Sequence, residues 1–306
     1  MEFCKEEFCK EEFCDLLLLF GILLLIYLIE KETCIMAIKI VVGNFKGGVG
    51  KTKVSVMASW ELANERNKKV LLVDMDPQGN ASTLIARSTG VTEINTSIFD
   101  GFKNGSLREC IVKVNDNLHM IPAQVSFKNL PKFLYTNVKE EMDQVSYLKK
   151  LLDPISDEYD YIFIDVPPTI SDFSDNAMMA SDYVLIILQA QELSLEGAET
   201  YVKYLQFMAD NYDADIQVVG VLPVLLRPGG RVDMSTIERA KELFGEENVM
   251  QNVIKHLERL KAWDITGITS NDQHDKKAHQ VFIDVVDEML KKLEHFEEAG
   301  KYEWVD

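Results

Sequence analysis

A glycine-rich segment that contains three lysines is the part of this sequence most suited to chemistry. Residues 43–53 read GNFKGGVGKTK, which matches the pattern G-x-x-x-x-G-K-[ST] with its first glycine displaced to Gly43. Glycines in such a loop allow backbone N–H groups to face phosphate oxygens, and a following helix N-terminus adds its dipole. We expect Lys51 to meet the β- and γ-phosphates of a nucleotide and the Thr52 hydroxyl to bind Mg²⁺. The predicted nucleotide-binding residues are Lys46, Gly47, Gly48, Val49, Gly50, Lys51 and Thr52.

Carboxylates follow two apolar segments further along the chain. Asp74 and Asp76 end the segment VLLVDMD, and two aspartates separated by one residue point the same way in an extended chain. This pair could bind the water molecules around a metal ion and orient an attacking water. Asp165 ends the segment YIFID and fits a carboxylate that holds Mg²⁺ through water. Pro167 and Pro168 follow it and stiffen the next loop.

Alternating strand-like and helical segments must position these residues. Strands are predicted at Ile38–Val42, Val70–Val73, Leu118–Pro122, Tyr161–Val166, Tyr183–Leu188 and Gln217–Leu222. Helices are predicted at Thr52–Asn64, Glu140–Leu152, Ser194–Asp210, Met234–Phe244 and Lys276–Phe296. Several of the strands are apolar throughout, which indicates a parallel sheet covered on both faces. The order predicts a doubly wound α/β fold with a mostly parallel sheet, in one domain over residues 36–306.

The composition restricts the partners that this chain can have. It has 306 residues, of which 27% are charged, and a formal net charge of −18. Contact with nucleic acid or an anionic membrane would therefore depend on a local basic patch in a repulsive background. Cys110 is the only cysteine after residue 35, which argues against a disulfide framework and against an iron–sulfur cluster held by cysteines.

Residues 1–35 differ from the rest of the chain. They repeat the unit FCKEE and then contain an apolar run of 14 residues, from Leu16 to Ile29. As a helix this run would span about 21 Å, less than the roughly 30 Å hydrocarbon core of a membrane. The acidic residues before it argue against a secretory signal. Three interpretations stay open: translation that starts at Met36, a membrane-associating helix, and a packing or oligomerisation helix in the cytoplasm.

Three motifs together resemble those of the ParA/Soj/MinD group of P-loop ATPases, and the resemblance extends over most of residues 36–296. The motifs are KGGVGKT at Lys46–Thr52, DMDPQGN at Asp74–Asn80 and IDVPP at Ile164–Pro168. Lys46 resembles the signature lysine of a deviant Walker A motif. That resemblance implies an ATP-bound sandwich homodimer in which this lysine reaches the phosphates of the other subunit.

The same resemblance implies roles for the individual residues. Asp76 would orient the attacking water, and Asp74 would lie near the magnesium shell. The catalytic residues it implies are Lys46, Lys51 and Asp76, and the metal-binding residues are Thr52, Asp74 and Asp165. ATP and Mg²⁺ are the expected cofactors, and ATP hydrolysis is expected to be weak and stimulated by a partner.

Lys53 departs from the pattern of the group, which usually has a second threonine at this position. We expect its side chain either to contact the α-phosphate or to point into solvent. A cation in the first turn of a helix is unfavourable by about 0.3–1 kcal/mol, which indicates a compensating anion nearby.

The resemblance favours the ParA type, which acts in plasmid or chromosome segregation. It implies that the ATP-bound dimer binds DNA non-specifically and that a ParB-like centromere-binding partner stimulates hydrolysis and release. The expected location is the cytoplasm, in association with the nucleoid. Candidate DNA contacts are Lys255, Arg259 and Lys261, with Arg227 and Arg231 as a second candidate group.

Two other functions stay open. One is a membrane-associated relative of the MinD-like or capsule-type autokinase class, and we expect no membrane contact unless residues 1–35 are made. The C-terminal sequence LKKLEHFEEAGKYEWVD is acidic at its tip and contains one tyrosine. It therefore lacks the basic amphipathic helix of the first class and the tyrosine cluster of the second. The other function is a metabolic ATP-dependent synthetase or reductase of the same superfamily.

Overall fold

The computed structural model describes residues 36–91, 94–189, 192–226 and 231–299. The chain divides into two units, Met1–Met36 and Ala37–Asp306, and every element below belongs to the second. The predictions for residues 1–35 lie outside the described residues. Within the described ranges, no helix combines the length and the apolar character needed to cross a membrane.

One sheet forms the centre of the second unit, with the strand order β3-β4-β2-β5-β1-β6-β7-β8. The strands are β1 (Ile38–Gly43), β2 (Val70–Asp74), β3 (Val112–Lys113), β4 (Leu118–Ile121), β5 (Tyr161–Asp165), β6 (Tyr183–Gln189), β7 (Gln217–Leu226) and β8 (Ile254–Lys255). β3 runs antiparallel to β4, and the other neighbouring strands pair in parallel. The prediction of an α/β fold with a mostly parallel sheet is confirmed.

Helices cover both faces of this sheet. They are α1 (Lys51–Glu65), α2 (Asn80–Thr89), α3 (Ile98–Asn104), α4 (Leu130–Asn137), α5 (Glu141–Val145), α6 (Tyr147–Leu152), α7 (Asp172–Met179), α8 (Glu192–Tyr212), α9 (Arg231–Phe244), α10 (Glu258–Thr266) and α11 (Gln273–Ala299). Short 3₁₀ turns occur at Arg108–Cys110, Val125–Asn129, Asp153–Glu158 and Glu246–Asn248.

The central strands β1, β2 and β5 are buried along nearly their whole length, as their continuous apolar sequences predict. In β1, Ile40 and Val42 pack on the face covered by α1 and α11, and Val41 packs on the face covered by α7 and α8. Two apolar cores therefore sandwich the sheet, which is the doubly wound arrangement.

The structure corrects several element boundaries. The single helix predicted at Glu140–Leu152 is wrong: α5 and α6 are separate, with Ser146 between them. The pattern did not predict β3, β8 or the helices α2, α3, α4, α7 and α10. These helices have at most ten residues, so they present too few turns for a clear apolar period.

The order of the central strands brings the motifs to one edge of the sheet. β5 lies between β1 and β2, so that Asp165 pairs in register with Val42 on one side and with Asp74 on the other. Because parallel strands end at the same edge, the loop after β1 and the carboxylates after β2 and β5 become neighbours.

Candidate nucleotide-binding site

The loop between β1 and α1 has a backbone that requires glycine. Gly48 and Gly50 have φ angles of 74° and 98°, and Gly50 directly precedes the first residue of α1. A Cβ atom on either glycine would meet nothing within 4 Å, so the requirement is conformational and does not come from packing. Val49, fully buried between them, anchors the loop to the core. The loop thus leaves open space in front of the N-terminus of α1, where an anion is favoured.

Asn44 connects this loop to the neighbouring strand β6. Its side-chain amide donates a hydrogen bond to the Ile187 carbonyl oxygen at 2.7 Å, and its Oδ1 accepts one from the Lys46 backbone N–H at 2.7 Å. The start of the loop, and with it the half-buried Lys46, is therefore held against β6. The sequence analysis did not identify Asn44, although a polar residue directly after a buried strand is a usable signal.

Lys51 extends into the interior of the loop. Only 6% of its surface is exposed, and its Nζ donates a hydrogen bond to the Lys46 carbonyl oxygen at 3.0 Å. Burial lowers the pKa of Lys51 to about 8, although the charges of Asp165 and Asp76 act in the opposite direction. The structure thus brings Lys51 and both carboxylates into one site.

Asp165 supplies a carboxylate oxygen that the described residues leave without a hydrogen-bond partner. The side chain is fully buried at the end of β5, and its Oδ1 accepts a hydrogen bond from the Ser55 hydroxyl at 3.0 Å. Its Oδ2 is the buried oxygen that no described residue contacts by a hydrogen bond. Burial, and then the charge of Asp74, raise the pKa of Asp165, whereas the nearby Thr52 hydroxyl and the Ser55 hydrogen bond oppose this shift.

An unsatisfied buried carboxylate beside a hydroxyl fits a hard cation. Thr52 and Asp165 are therefore compatible with Mg²⁺, which is usually bound through one or two carboxylates together with substrate phosphates and water. Among the residues that the structure describes, no group of three or more His, Cys, Asp or Glu side chains is arranged to hold a metal.

Asp74 is engaged in fixing the start of α2. Its Oδ2 accepts hydrogen bonds from the Ser82 backbone N–H and hydroxyl, at 2.9 and 2.7 Å, and its Oδ1 accepts one from the Asp76 backbone N–H at 3.1 Å. Burial raises the pKa of Asp74 despite these bonds. Its predicted place near Mg²⁺ stays a prediction, since the contacts in the structure are to the protein backbone and to Ser82.

Asp76 and the proline loop complete the surroundings of the site. Asp76 is almost buried, and its Oδ1 accepts a hydrogen bond from the Gln78 backbone N–H at 2.9 Å. Its charge acts on both Lys51 and Asp165. Pro168 lies beside the phosphate loop, because a Cβ atom built on Gly47 would be 3.9 Å from its ring.

Ser55 and Ser82 are two further site residues that the sequence analysis missed. Ser55 follows Thr52 by three residues, which places both hydroxyls on one face of α1, toward Asp165. That spacing was visible in the sequence. The pairing of Ser82 with Asp74 was not, because it depends on how α2 turns back toward the end of β2.

The Lys53 side chain does not point freely into solvent, and its contact with an α-phosphate stays a prediction. Its Nζ forms an ion pair with the Asp264 Oδ1 on α10 at 2.5 Å, and only 15% of the lysine side chain is exposed. The compensating anion indicated by the helix N-terminus is therefore present, and it comes from a residue 211 positions away.

The candidate DNA contacts lie outside the nucleotide site. Lys255 is exposed at the end of β8, and Lys261 pairs with Glu258 on the same helix at 3.3 Å. Arg259 is paired twice, with Asp272 Oδ2 at 2.5 Å and Asp275 Oδ1 at 3.2 Å. Arg227 lies outside the described residues, and the structure describes no side chain for Arg231.

A family model described as an AAA domain matches residues 37–218. The sporulation initiation inhibitor protein Soj of Bacillus subtilis is 31% identical over 254 residues, which cover 82% of this chain and 97% of that protein. The chromosome-partitioning ATPase Soj of Treponema pallidum is 29% identical over 204 residues, covering 67% of this chain and 78% of that protein.

Solved structures have the same fold at lower identity. Apo McdA from Cyanothece superposes with a TM-score of 0.72 at 22% identity, over 83% of this chain and 99% of that chain. Cobyrinic acid a,c-diamide synthase from Mycobacterium smegmatis, solved with an ATP analogue and magnesium, has a TM-score of 0.70 at 19% identity, over 87% of this chain and 97% of that chain. At these identities the likeness shows the fold alone.

Proposed function

Because this chain belongs to the ParA/Soj family of partition ATPases, we propose that it is an ATP-driven partition protein whose ATP-bound dimer binds DNA. One observation carries the catalytic part of this proposal. The buried Lys51 lies close enough to the buried Asp165 for their charges to interact, and Asp165 Oδ2 has no hydrogen-bond partner among the residues that the structure describes. Buried charges of this kind are costly unless a ligand completes them, and a magnesium nucleotide carries both complementary charges.

The hydrolysis step needs few groups from the protein. Water attacks the γ-phosphorus, the bond from that phosphorus to the bridging oxygen of ADP breaks, and ADP and phosphate are released. In our proposal Lys51 and the N-terminus of α1 neutralise charge on the phosphates, and Asp76 orients the water. Thr52 and Asp165 would hold Mg²⁺, which supplies further charge neutralisation.

Lys46 is the residue proposed to make the reaction depend on a second subunit. The Asn44 hydrogen bonds hold its backbone against β6, while its half-buried side chain begins at the rim of the loop. A lysine so placed could reach phosphates across a dimer interface. Dimerisation would then require ATP in both subunits. Hydrolysis would be weak in the absence of a partner and would be stimulated by a ParB-like centromere-binding protein.

Non-specific DNA is the proposed partner of the dimer. Such binding rests on contacts between cations and phosphates, for which Lys255, Arg259 and Lys261 remain the candidates. Two copies of the cluster in one dimer would raise the effective affinity, which offsets the acidic background. The proposed location is the cytoplasm, on the nucleoid.

The 19% identity with the M. smegmatis synthase supports no metabolic function, since it reflects the fold alone. The partition function is supported by sequence relatives that are about 30% identical over two thirds or more of the chain.

The test is DNA binding by the full chain in three nucleotide states. We expect binding to non-specific duplex DNA with ATP, weak or no binding with ADP or without nucleotide, and a steep decrease with salt. Lys46→Ala should remove the ATP-dependent part, while Lys139→Ala, at an exposed position outside the loop, should leave it unchanged. If no nucleotide supports binding even at low salt, the DNA step is wrong. Sedimentation with anionic vesicles would then test the membrane-associated alternative.

A further inference from the structure

Helix α10, which carries two of the candidate DNA contacts, is attached directly to the helix that begins at the phosphate loop. Lys53, the third residue of α1, forms its ion pair with Asp264 near the end of α10. Lys53 is therefore three residues from Gly50 at one end of the contact, and Asp264 is three residues from Lys261 at the other.

The same end of α10 also contacts α2, the helix that follows the Asp74–Asp76 turn. The Arg87 guanidinium donates a hydrogen bond to the Asp264 carbonyl oxygen, and the Ile268 backbone N–H donates one to the Ser88 hydroxyl at 2.8 Å. Gly267 lies so close that an added Cβ atom would be 2.6 Å from the Arg87 carbonyl oxygen. Asp264 thus touches both helices that leave the nucleotide site, through its side chain and through its backbone.

A second polar connection joins α1 to the same region. Glu61, buried on α1, lies 2.6 Å from His279 Nδ1, and His279 Nε2 lies 3.0 Å from the Thr269 carbonyl oxygen. The Thr269 hydroxyl in turn donates a hydrogen bond to Asp275, the buried partner of Arg259. α10 and the segment after it are therefore held to α1 at two points along its length.

The Lys53–Asp264 pair differs from an ordinary surface ion pair on its lysine side. Most exposed pairs contribute little, because solvent screens them and two long side chains must be ordered. Lys53 is largely shielded from solvent, whereas Asp264 is 59% exposed, and the lysine lies in the first turn of a helix, where the helix dipole disfavours a cation. Removing Asp264 would leave that cation uncompensated, so formation of the ion pair is favoured.

We infer that Lys53 and Asp264 couple the nucleotide site to α10, so that a nucleotide bound at the start of α1 changes the position or order of α10. Phosphates at the N-terminus of α1 act on its first turn, where Lys53 lies, and the ion pair passes a change in that turn to the basic cluster. This inference rests on the proposed function in one respect, which is that α10 contacts DNA. Lys53 is a positioning residue in this account.

Amide hydrogen exchange of α10 in the full chain tests the coupling without DNA. In the wild-type chain we expect a non-hydrolysable ATP analogue with Mg²⁺ to slow exchange in residues 258–266 by about threefold to tenfold, the size of typical couplings between contacting residues. Lys53→Met and Asp264→Asn should each remove this response, and the double variant should lose no more than either single one. Lys53→Arg should retain it, and Lys241→Met, which breaks an ion pair on α9, should leave it intact.

Nucleotide affinity, measured on the same variants, separates coupling from direct binding. We expect both single variants to bind the analogue within about twofold of the wild type, since the pair is not itself a phosphate ligand in this account. If Lys53→Met weakens binding about tenfold while Asp264→Asn does not, Lys53 contacts a phosphate and the inference is wrong. It is also wrong if α10 in the wild-type chain does not respond to nucleotide, or if both variants keep the response.

DNA binding of the same proteins distinguishes this inference from the proposed function. If α10 responds through the ion pair but no nucleotide supports DNA binding, the DNA step fails and the coupling stands. If ATP-dependent DNA binding survives unchanged in both single variants, the coupling to the basic cluster fails and the proposed function stands.

Discussion

The nucleotide site and the basic cluster of Lys255, Arg259 and Lys261 both contain several charged side chains, but these charges are compensated to different extents. In the nucleotide site the charges are buried and incompletely matched: Lys51 has a lowered pKa, Asp165 a raised one, and Asp165 Oδ2 lacks a hydrogen-bond partner among the described residues. In the cluster, Arg259 is neutralised by Asp272 and Asp275.

Incompletely compensated charges in the first region are suited to binding a ligand, whereas the paired charges in the second stabilise the fold. A buried charge without full compensation costs stability, and it persists at sites where a ligand completes it. A charge that already has two partners stabilises its own helix and can bind a phosphate only in competition with them.

The largest effect is expected from Lys51→Ala. Removing a cation that stabilises charge in the transition state should lower ATP hydrolysis by about 100-fold or more. Phosphate release by the full chain measures this, with Lys139→Ala as the control. A loss of less than about threefold would mean that Lys51 is not part of the catalytic site.

Asp165→Asn should change activity and stability in opposite directions. Hydrolysis should fall strongly, while the free energy of unfolding should rise by about 1–3 kcal/mol, because a buried charged group without full compensation is removed. Thermal unfolding measures the second effect, and Asp116→Asn, at an exposed position, should produce no such gain.

The raised pKa of Asp165 adds a pH dependence to that comparison. The Asp165 carboxyl binds its proton more tightly in the folded protein than in the unfolded chain. The stabilising contribution of protonation is therefore present at low pH and lost as pH rises through the folded pKa. The stability advantage of Asp165→Asn should shrink as pH falls, and an advantage that grows instead would contradict the proposed electrostatics.

Nucleotide binding should take up a proton in the region of pH 8. Phosphate charges favour the protonated form of Lys51, so binding raises a pKa that stands at about 8 in the free protein. Affinity should then decrease as pH rises above that value, by at most about tenfold per pH unit. Calorimetry in buffers of different ionisation enthalpy measures the uptake.

Lys51→Arg provides the control, because its guanidinium stays charged over this range and removes the contribution of Lys51 to the proton uptake. The assignment to Lys51 would be contradicted by equal proton uptake in the wild-type and Lys51→Arg proteins.

The smallest effects are expected in the basic cluster. Arg259→Gln should lower Tm by about 2–4 °C, because it removes the cation paired with the buried Asp275, whereas Lys261→Gln should leave Tm unchanged. In DNA binding, each variant that removes a phosphate contact should reduce the salt slope by about one. If Arg259→Gln changes Tm but not the salt slope, the arginine is structural and the DNA surface lies elsewhere.

The parts of this protein that the sequence predicted well depend on neighbours along the chain. The glycine loop between β1 and α1 follows from glycines next to Lys51 and Thr52, and the main strands follow from continuous apolar runs that only a doubly covered sheet can bury. The resemblance of three motifs led to the family, which the comparisons support. Even the need for an anion near Lys53 followed from its place in a helix first turn.

The parts decided by the tertiary structure depend on partners that lie far away in sequence. Two-residue strands such as β3 and β8 exist only through pairing with a longer strand, so no local pattern indicates them. Asp264 as the partner of Lys53, Ser82 as the partner of Asp74 and Asp275 as the partner of Arg259 all arise from the way helices return to the sheet edge. A sequence shows which side chains carry charge, but only the fold shows which charges are already compensated, because electrostatic energy depends on distance and burial.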